Sequence, residues 1–291
     1  MKKKDKTPFI LRLVRWSFPK LELLSPALAN RLFIKLFFTP LKYTPPDKEK
    51  EIGAKANTYF IEVGGRKIQI YTWGAGPVVL LAHGWAGRGT QFRKIIPALE
   101  AEGFMAVSFD GPAHGNSEGR MTNISEFAAV MDALVKKVGK PKAIIAHSFG
   151  GVASLYAIMN GLAVDKLINI ASPTLADDII NNYQRAMNAS AATGAAFKSY
   201  IKKSTGKSFE EFSALYSVAH LPHPLDLLLI HDEKDLDVTM KHPEAMMKTY
   251  PSAHLLKTTG LGHSRILRDE KVIATCIRFI QGKEPVTSLL S

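Results

Sequence analysis

Five short runs, PVVLLA (77–82), FMAVSF (104–109), KAIIA (142–146), KLINI (166–170) and LDLLLI (225–230), constrain the fold of this chain more than anything else in it. A strand with one wet face alternates apolar and polar residues. Runs that are apolar almost throughout belong to strands covered on both faces. Helical patterns near 91–102, 123–138 and 149–160 separate the first four, and this strand–helix–strand order implies a parallel sheet with right-handed crossovers. Another strand, AHLLK (253–257), precedes a terminal helix. Upstream, TYFIEV and RKIQIYTW alternate on either side of Gly64-Gly65, the pattern of a β-hairpin. The expected class is therefore α/β, a mostly parallel central sheet with helices on both faces. Ligands of such sheets bind beyond the carboxyl ends of the strands, so the residues following each strand are the ones to inspect.

After KAIIA comes His147-Ser148-Phe149-Gly150-Gly151, opening a helix. Ala146 to Gly150 is a variant of G-x-S-x-G, whose small residues permit a tight strand-to-helix turn that projects the serine hydroxyl. Alanine stands at the first glycine position. After LDLLLI, the segment His231-Asp232-Glu233-Lys234-Asp235-Leu236-Asp237-Val238 offers three aspartates. Asp235 is favoured because it leads an Asp-x-x-Val pattern that can turn the valine inward and the carboxylate toward the site, with Asp232 and Asp237 as alternatives. After AHLLK comes the glycine-flanked His263. Serine, acid and histidine thus follow in the order that a nucleophile elbow requires. A neutral imidazole at His263 can take the Ser148 proton, and a carboxylate holds its tautomer. After PVVLLA comes His83-Gly84-Trp85, and the amides of Trp85 and Phe149 are candidates for an oxyanion hole.

These motifs, with Asp110-Gly111-Pro112-Ala113-His114-Gly115-Asn116-Ser117, resemble the α/β-hydrolase fold family in its esterase, lipase and thioesterase branches, and in particular a group of bacterial hydrolases. The resemblance spans residues 58–281. It implies that Asp110 and His114 brace loops and that Ala113 replaces a family glycine. It also implies a helical cap at about 173–220, inserted where the family carries one, with Trp85, Phe197, Tyr200, Phe212 and Tyr216 as candidate pocket residues beside Phe209. Family members that open epoxides or remove halogens use an aspartate at the elbow, which Ser148 replaces here.

Charge separates the chain into two parts. The formal net charge is +12, and residues 1–50 hold a balance of +8 within it. Because that excess lies in an apolar, helical N-terminus, it argues against nucleic acid as partner. Lys2 to Lys4 imitate the start of a signal peptide, but Arg12 and Arg15 interrupt the apolar stretch that follows, and no span is long and uncharged enough to cross a bilayer. FILRLVRW (9–16) reads as a short helix. A second is expected to open at Ser25, whose hydroxyl caps it, with Pro26 at its first turn, and to stop at Thr39-Pro40. These helices either pack on the body of the protein or carry residues 1–45 to an anionic membrane. The domain plan is a basic amphipathic segment at 1–50 and a hydrolase domain at 51–291.

One cysteine, Cys276, excludes an intramolecular disulfide and fits a reducing compartment. Cytoplasmic residence, with peripheral contact at the inner membrane face, is the expectation. No residue spacing calls for a metal or another cofactor. The expected activity is hydrolysis of a small-molecule acyl ester through an acyl-serine. Thioesterase, amidase, acyltransferase and cofactor-free peroxidase-like chemistry use the same triad, and a non-catalytic ligand receptor or membrane-recruited scaffold is the alternative of another class.

Overall fold

The computed structural model describes the backbone of residues 9–283 and the side chains of residues 12–283, so Lys2 to Lys4 lie outside the described residues. Two N-terminal helices, α1 (Phe9–Leu24) and α2 (Pro26–Phe37), are followed by α3 (Asp47–Ala54) and the hairpin β1 (Asn57–Val63) and β2 (Arg66–Trp73). The body continues with β3 (Val78–Ala82), α4 (Ile95–Ala101), β4 (Met105–Phe109), α5 (Ile124–Val138), β5 (Ala143–His147), α6 (Phe149–Met159) and β6 (Lys166–Ile170). Then come α7 (Ala176–Met187), α8 (Ala191–Thr205), α9 (Ala214–Ala219), β7 (Asp226–Asp232), α10 (Lys241–Thr249), β8 (His254–Thr258), α11 (Gly262–Arg265) and α12 (Glu270–Ile280).

The eight strands form one sheet in the order β1-β2-β4-β3-β5-β6-β7-β8. The hairpin strands pair antiparallel, and β2 pairs antiparallel with β4. Every other neighbouring pair is parallel, which brings the carboxyl ends of β3, β5, β7 and β8 to one edge. The all-apolar runs are covered on both faces, as their lack of alternation requires. Phe127, Val130 and Met131 of α5, with Val152 and Leu155 of α6, pack on one face. Ile95 and Leu99 of α4, with Val272, Cys276 and Ile280 of α12, pack on the other. Cys276 is fully buried and its thiol is pushed up to about 12 by that burial, so it serves as a small apolar group. Asn123 and Asp269 cap α5 and α12 by accepting the amides of Glu126 and Val272.

The chain divides into two compact units, and the division differs from the expected plan. One unit comprises the described residues to Thr39 together with Leu175–Glu211; the other comprises Pro40–Thr174 and the described residues from Phe212. The N-terminal helices therefore group with the inserted helices α7 and α8. Aromatic rings hold this smaller unit together. Phe33 lies 4.8 Å from Tyr183 and 5.6 Å from Phe197, and Phe37 lies 4.5 Å from Phe197, centroid to centroid. Glu22 of α1 accepts from the backbone amide and hydroxyl of Ser190 and from the hydroxyl of Thr193, at the start of α8.

Three local expectations are corrected. The first helix does not end near Trp16 but continues through Pro19 to Leu24. Ser25 precedes α2 without a capping bond from its hydroxyl, and its amide instead donates to the Leu21 carbonyl, joining α2 directly to the end of α1. The helix expected over 91–102 is a 3-10 turn at Gly89–Phe92 followed by the shorter α4. Among the described residues, no helix is long and apolar enough to cross a membrane.

Candidate active site

Ser148 sits between β5 and α6 with φ +51° and ψ −121°, a left-handed backbone that L residues occupy only at a cost of about 1–3 kcal/mol. Neighbouring bonds hold it there. Its amide donates to the Ile170 carbonyl, and its own carbonyl accepts from the Gly151 amide and the Ser172 hydroxyl. Helix α6 can start this close to β3 only because Gly150 has no side chain: a Cβ there would stand 2.2 Å from the Ala82 carbonyl oxygen. Ala146, by contrast, pairs within β5 in extended backbone, so glycine's freedom is not needed at that position.

His263 faces both ways. Its Nε2 lies 3.1 Å from Ser148 Oγ, and its Nδ1 lies 2.8 Å from Asp235 Oδ2. An ionised carboxylate only accepts, so Nδ1 carries the proton and Nε2 is left to accept from the serine hydroxyl. Asp235 is buried, which by itself raises its pKa. The His263 Nδ1–H and the amides of Val238 and Asp237 outweigh that burial and hold the carboxyl below its ordinary value. Val238 is buried beneath, as the Asp-x-x-Val spacing anticipates.

The other two aspartates do different work. Asp232 accepts from the amides of Lys234, Gly260 and Leu261 and from the Thr258 hydroxyl, tying the end of β7 to the loop that carries His263. Asp237 is exposed. Asp235, Asp237 and His263 offer ligand atoms within 4.8 Å of one another, but both Asp235 oxygens and the His263 Nδ1 are already hydrogen-bonded.

Gly84 brings the loop after β3 against Ser148, since a Cβ on it would stand 3.1 Å from the Ser148 Cβ. Among the described residues, no intramolecular hydrogen bond engages the amide of Trp85 or of Phe149. The adjacent Ala86 amide does have a partner, His114 Nε2, at 3.1 Å. The Trp85 indole stands edge-on to Phe149 at 5.2 Å and to His114 at 5.3 Å.

Further histidines around the site are buried, and burial holds them neutral. His83 donates from Nδ1 to the Gly84 carbonyl and accepts the Gly111 amide at Nε2. His114 donates to the Pro112 carbonyl, and Asp110 accepts from the amides of Gly89 and Asn116 and the Tyr71 hydroxyl, so both brace loops. His147 donates from Nε2 to the backbone carbonyl of His263 at 2.9 Å, with the Gln91 amide on its other nitrogen. Sequence reasoning missed this last role, although His147 is the residue immediately before Ser148. It also missed His231, whose Nε2–H donates to the Val238 carbonyl and braces the loop that carries Asp235.

Burial drives His83 and His147 down to about 4 and His114 to about 3, from 6.5. Below 6.5 the unfolded chain takes up protons on these rings that the folded chain refuses. Their stabilisation is therefore complete above that pH and is lost as the pH falls toward about 4, with a slope of about 1.4 kcal/mol per pH unit for each ring. Thermal melts are expected to show a midpoint falling steeply between about pH 6.5 and pH 4.5; a midpoint constant across that window would contradict the assignment.

The expected pocket residues are not brought together within one unit. Phe197 and Tyr200 belong to the smaller unit. There Phe197 is fully buried among Phe33, Phe37 and Phe209, while Tyr200 is exposed. In the larger unit, Phe212 stacks on Tyr156 and Tyr216 on His220.

Comparisons with known proteins agree on the architecture. A family pattern described as the alpha/beta hydrolase fold matches residues 77–266. A segment of 109 residues, 36% of the chain, is 34% identical to a soluble epoxide hydrolase from Corynebacterium sp. (strain C12), and spans only 38% of that relative's length. An esterase from Pyrococcus furiosus superposes with a TM-score of 0.63 at 18% identity, covering 84% of this chain and 96% of that one. For an esterase from Exiguobacterium antarcticum the TM-score is 0.60 at 19% identity, covering 76% and 98%.

Proposed function

Because the chain belongs to the α/β-hydrolase fold family, we propose that it is a serine hydrolase that cleaves a carboxylic ester through an acyl-serine on Ser148. The observation that carries this reading is the unbroken line from Ser148 Oγ to His263 Nε2 at 3.1 Å and from His263 Nδ1 to Asp235 Oδ2 at 2.8 Å. As Ser148 Oγ attacks the substrate carbonyl, its proton passes to Nε2, and the imidazolium is stabilised by the Asp235 carboxylate. The carbonyl oxygen becomes an oxyanion facing the amides of Trp85 and Phe149, each worth about 3 kcal/mol in the transition state. Collapse breaks the ester C–O bond, and the alkoxide leaves with the proton from Nε2. Water then attacks the acyl-serine, gives its proton to His263, and releases the acid and the free Ser148 hydroxyl.

Epoxide opening, the activity named for the Corynebacterium relative, is disfavoured by the same hydroxyl. Attack of a serine oxygen on an epoxide carbon leaves an alkyl ether, which has no carbonyl for water to attack, so the enzyme would stop after one turnover. Thioester and amide cleavage, acyl transfer and peroxidase-like reactions all pass through the acyl-serine. A panel of p-nitrophenyl esters of increasing chain length, with acyl-thioester, anilide and epoxide controls, separates them. The ester reading predicts steady turnover of at least one p-nitrophenyl ester and none of the epoxide. Turnover of thioesters alone would transfer the reading to a thioesterase, and no turnover of any acyl substrate by the folded protein would favour a non-catalytic receptor.

A further inference from the structure

The outward surface of the two N-terminal helices is unlike an ordinary solvated face. Leu23 and Leu24, at the corner where α1 passes into α2, are 86% and 85% exposed, and Trp16, Leu28 and Leu13 are at least half exposed. Leu13, Trp16, Lys20 and then Leu23 and Leu24 recur at three- and four-residue spacing along α1, as do Leu28, Arg31 and Lys35 along α2, so each set shares a face. The opposite faces are spent inside the smaller unit, where Phe18, Ala29 and Phe33 are buried. The amphipathic pattern is therefore doubled. One apolar stripe packs against α7 and α8, and a second is left in water.

Charge identifies what covers the second stripe. Arg12, Arg15, Lys20, Arg31 and Lys35 are exposed beside the leucines, and none is drawn into an ion pair among the described residues. The single acid of both helices, Glu22, is turned inward to Ser190 and Thr193. Lys20 stands 3.2 Å over the Trp16 ring, an arrangement that keeps its charge beside an indole suited to a headgroup layer. Self-association of this face about a two-fold axis would set like charges against each other. A nucleic acid would leave the leucines uncovered.

We infer that α1 and α2 form a monotopic membrane anchor, with the Leu23-Leu24 corner, Leu28 and Trp16 entering the interface and the five basic side chains meeting anionic lipid headgroups. The anchor lies parallel to the membrane plane rather than spanning it. Lys2, Lys3, Lys4 and Lys6 precede it in the sequence and add to the same charge.

Flotation of the full chain with vesicles tests this. The chain is expected to float with equimolar phosphatidylcholine and phosphatidylglycerol and to bind vesicles of phosphatidylcholine alone much more weakly. Leu23→Ser with Leu24→Ser is expected to weaken binding to the mixed vesicles by about tenfold or more. Arg31→Gln with Lys35→Gln is expected to weaken it by roughly twenty-five-fold, from about fivefold per charge. Circular dichroism melts of both variants are expected to match the wild type, a control independent of any catalytic activity. The inference is overturned if the wild type floats with neither vesicle, if both variants bind as well as the wild type, or if the leucine variant converts a dimer in solution to a monomer.

Discussion

Replacing Ser148 with alanine is expected to lower kcat toward a p-nitrophenyl ester by roughly 10⁴- to 10⁶-fold, with little change in the thermal midpoint. The hydroxyl is the only part of the side chain lost. The contacts that shape the turn run through the Ser148 backbone, from its amide to Ile170 and from Gly151 and Ser172 to its carbonyl, so the elbow survives the substitution. A residual rate above that in water should remain, because the proposed oxyanion hole of the Trp85 and Phe149 amides is left intact. A burst-free, steady rate within tenfold of the wild type, on the order of 1.4 kcal/mol in the barrier, would mean that another group carries the acyl chemistry.

Asp235→Asn is expected to cost about 10⁴-fold in kcat, for a reason that lies in the hydrogen bonds around the carboxylate. Oδ1 accepts the amides of Asp237 and Val238, and an asparagine can satisfy both only by placing its carbonyl oxygen there. Its NH₂ then faces His263 Nδ1, which must accept. The ring proton moves to Nε2, and the nitrogen beside Ser148 can no longer take the serine proton. The neighbouring aspartates give the contrast. Asp237→Asn changes an exposed carboxylate and should leave kcat near the wild-type value. Asp232→Asn weakens three bonds that tie the end of β7 to the end of β8 and the His263 loop, and a fourth within its own turn, so its effect should appear first in the thermal midpoint. Equal kcat losses at Asp235 and Asp237 would contradict the assignment of the acid.

The strands were legible because a sheet covered on both faces leaves a pattern that does not depend on tertiary detail. The sites that follow them were legible because parallel pairing sends all their carboxyl ends one way. Small residues mark close approaches, yet their meaning differs by position. Alanine in place of a family glycine is unstrained at Ala146, within β5, whereas Ala113 sits at φ +66° and carries the strain that the family's glycine avoids. What the sequence could not show is which of two partners an amphipathic helix finds. The apolar side of α2 reads alike whether it packs on the sheet, on another helix or on lipid, and only the fold reveals that Phe33 meets Tyr183 and Phe197 while Leu28 meets water. Phe197 illustrates the same ambiguity, since an aromatic side chain at helical spacing looks the same in a pocket and in a core, and the fold buries it among Phe33 and Phe37. Helices α3 and α10 were missed, being short and, in α3, mostly charged, so that tertiary contacts rather than periodicity sustain them.

The proposed mechanism requires Ser148 to be an activated nucleophile. Intact-mass analysis of the full chain after exposure to an alkyl fluorophosphonate tests it most directly, because the reagent bonds to a serine oxygen whose proton a neighbouring base removes. One phosphonyl group is expected to add, located to Ser148 by peptide mapping, lost in Ser148→Ala and strongly slowed in Asp235→Asn. A folded wild type that gains no mass, or a Ser148→Ala protein that gains it as readily, would contradict the account.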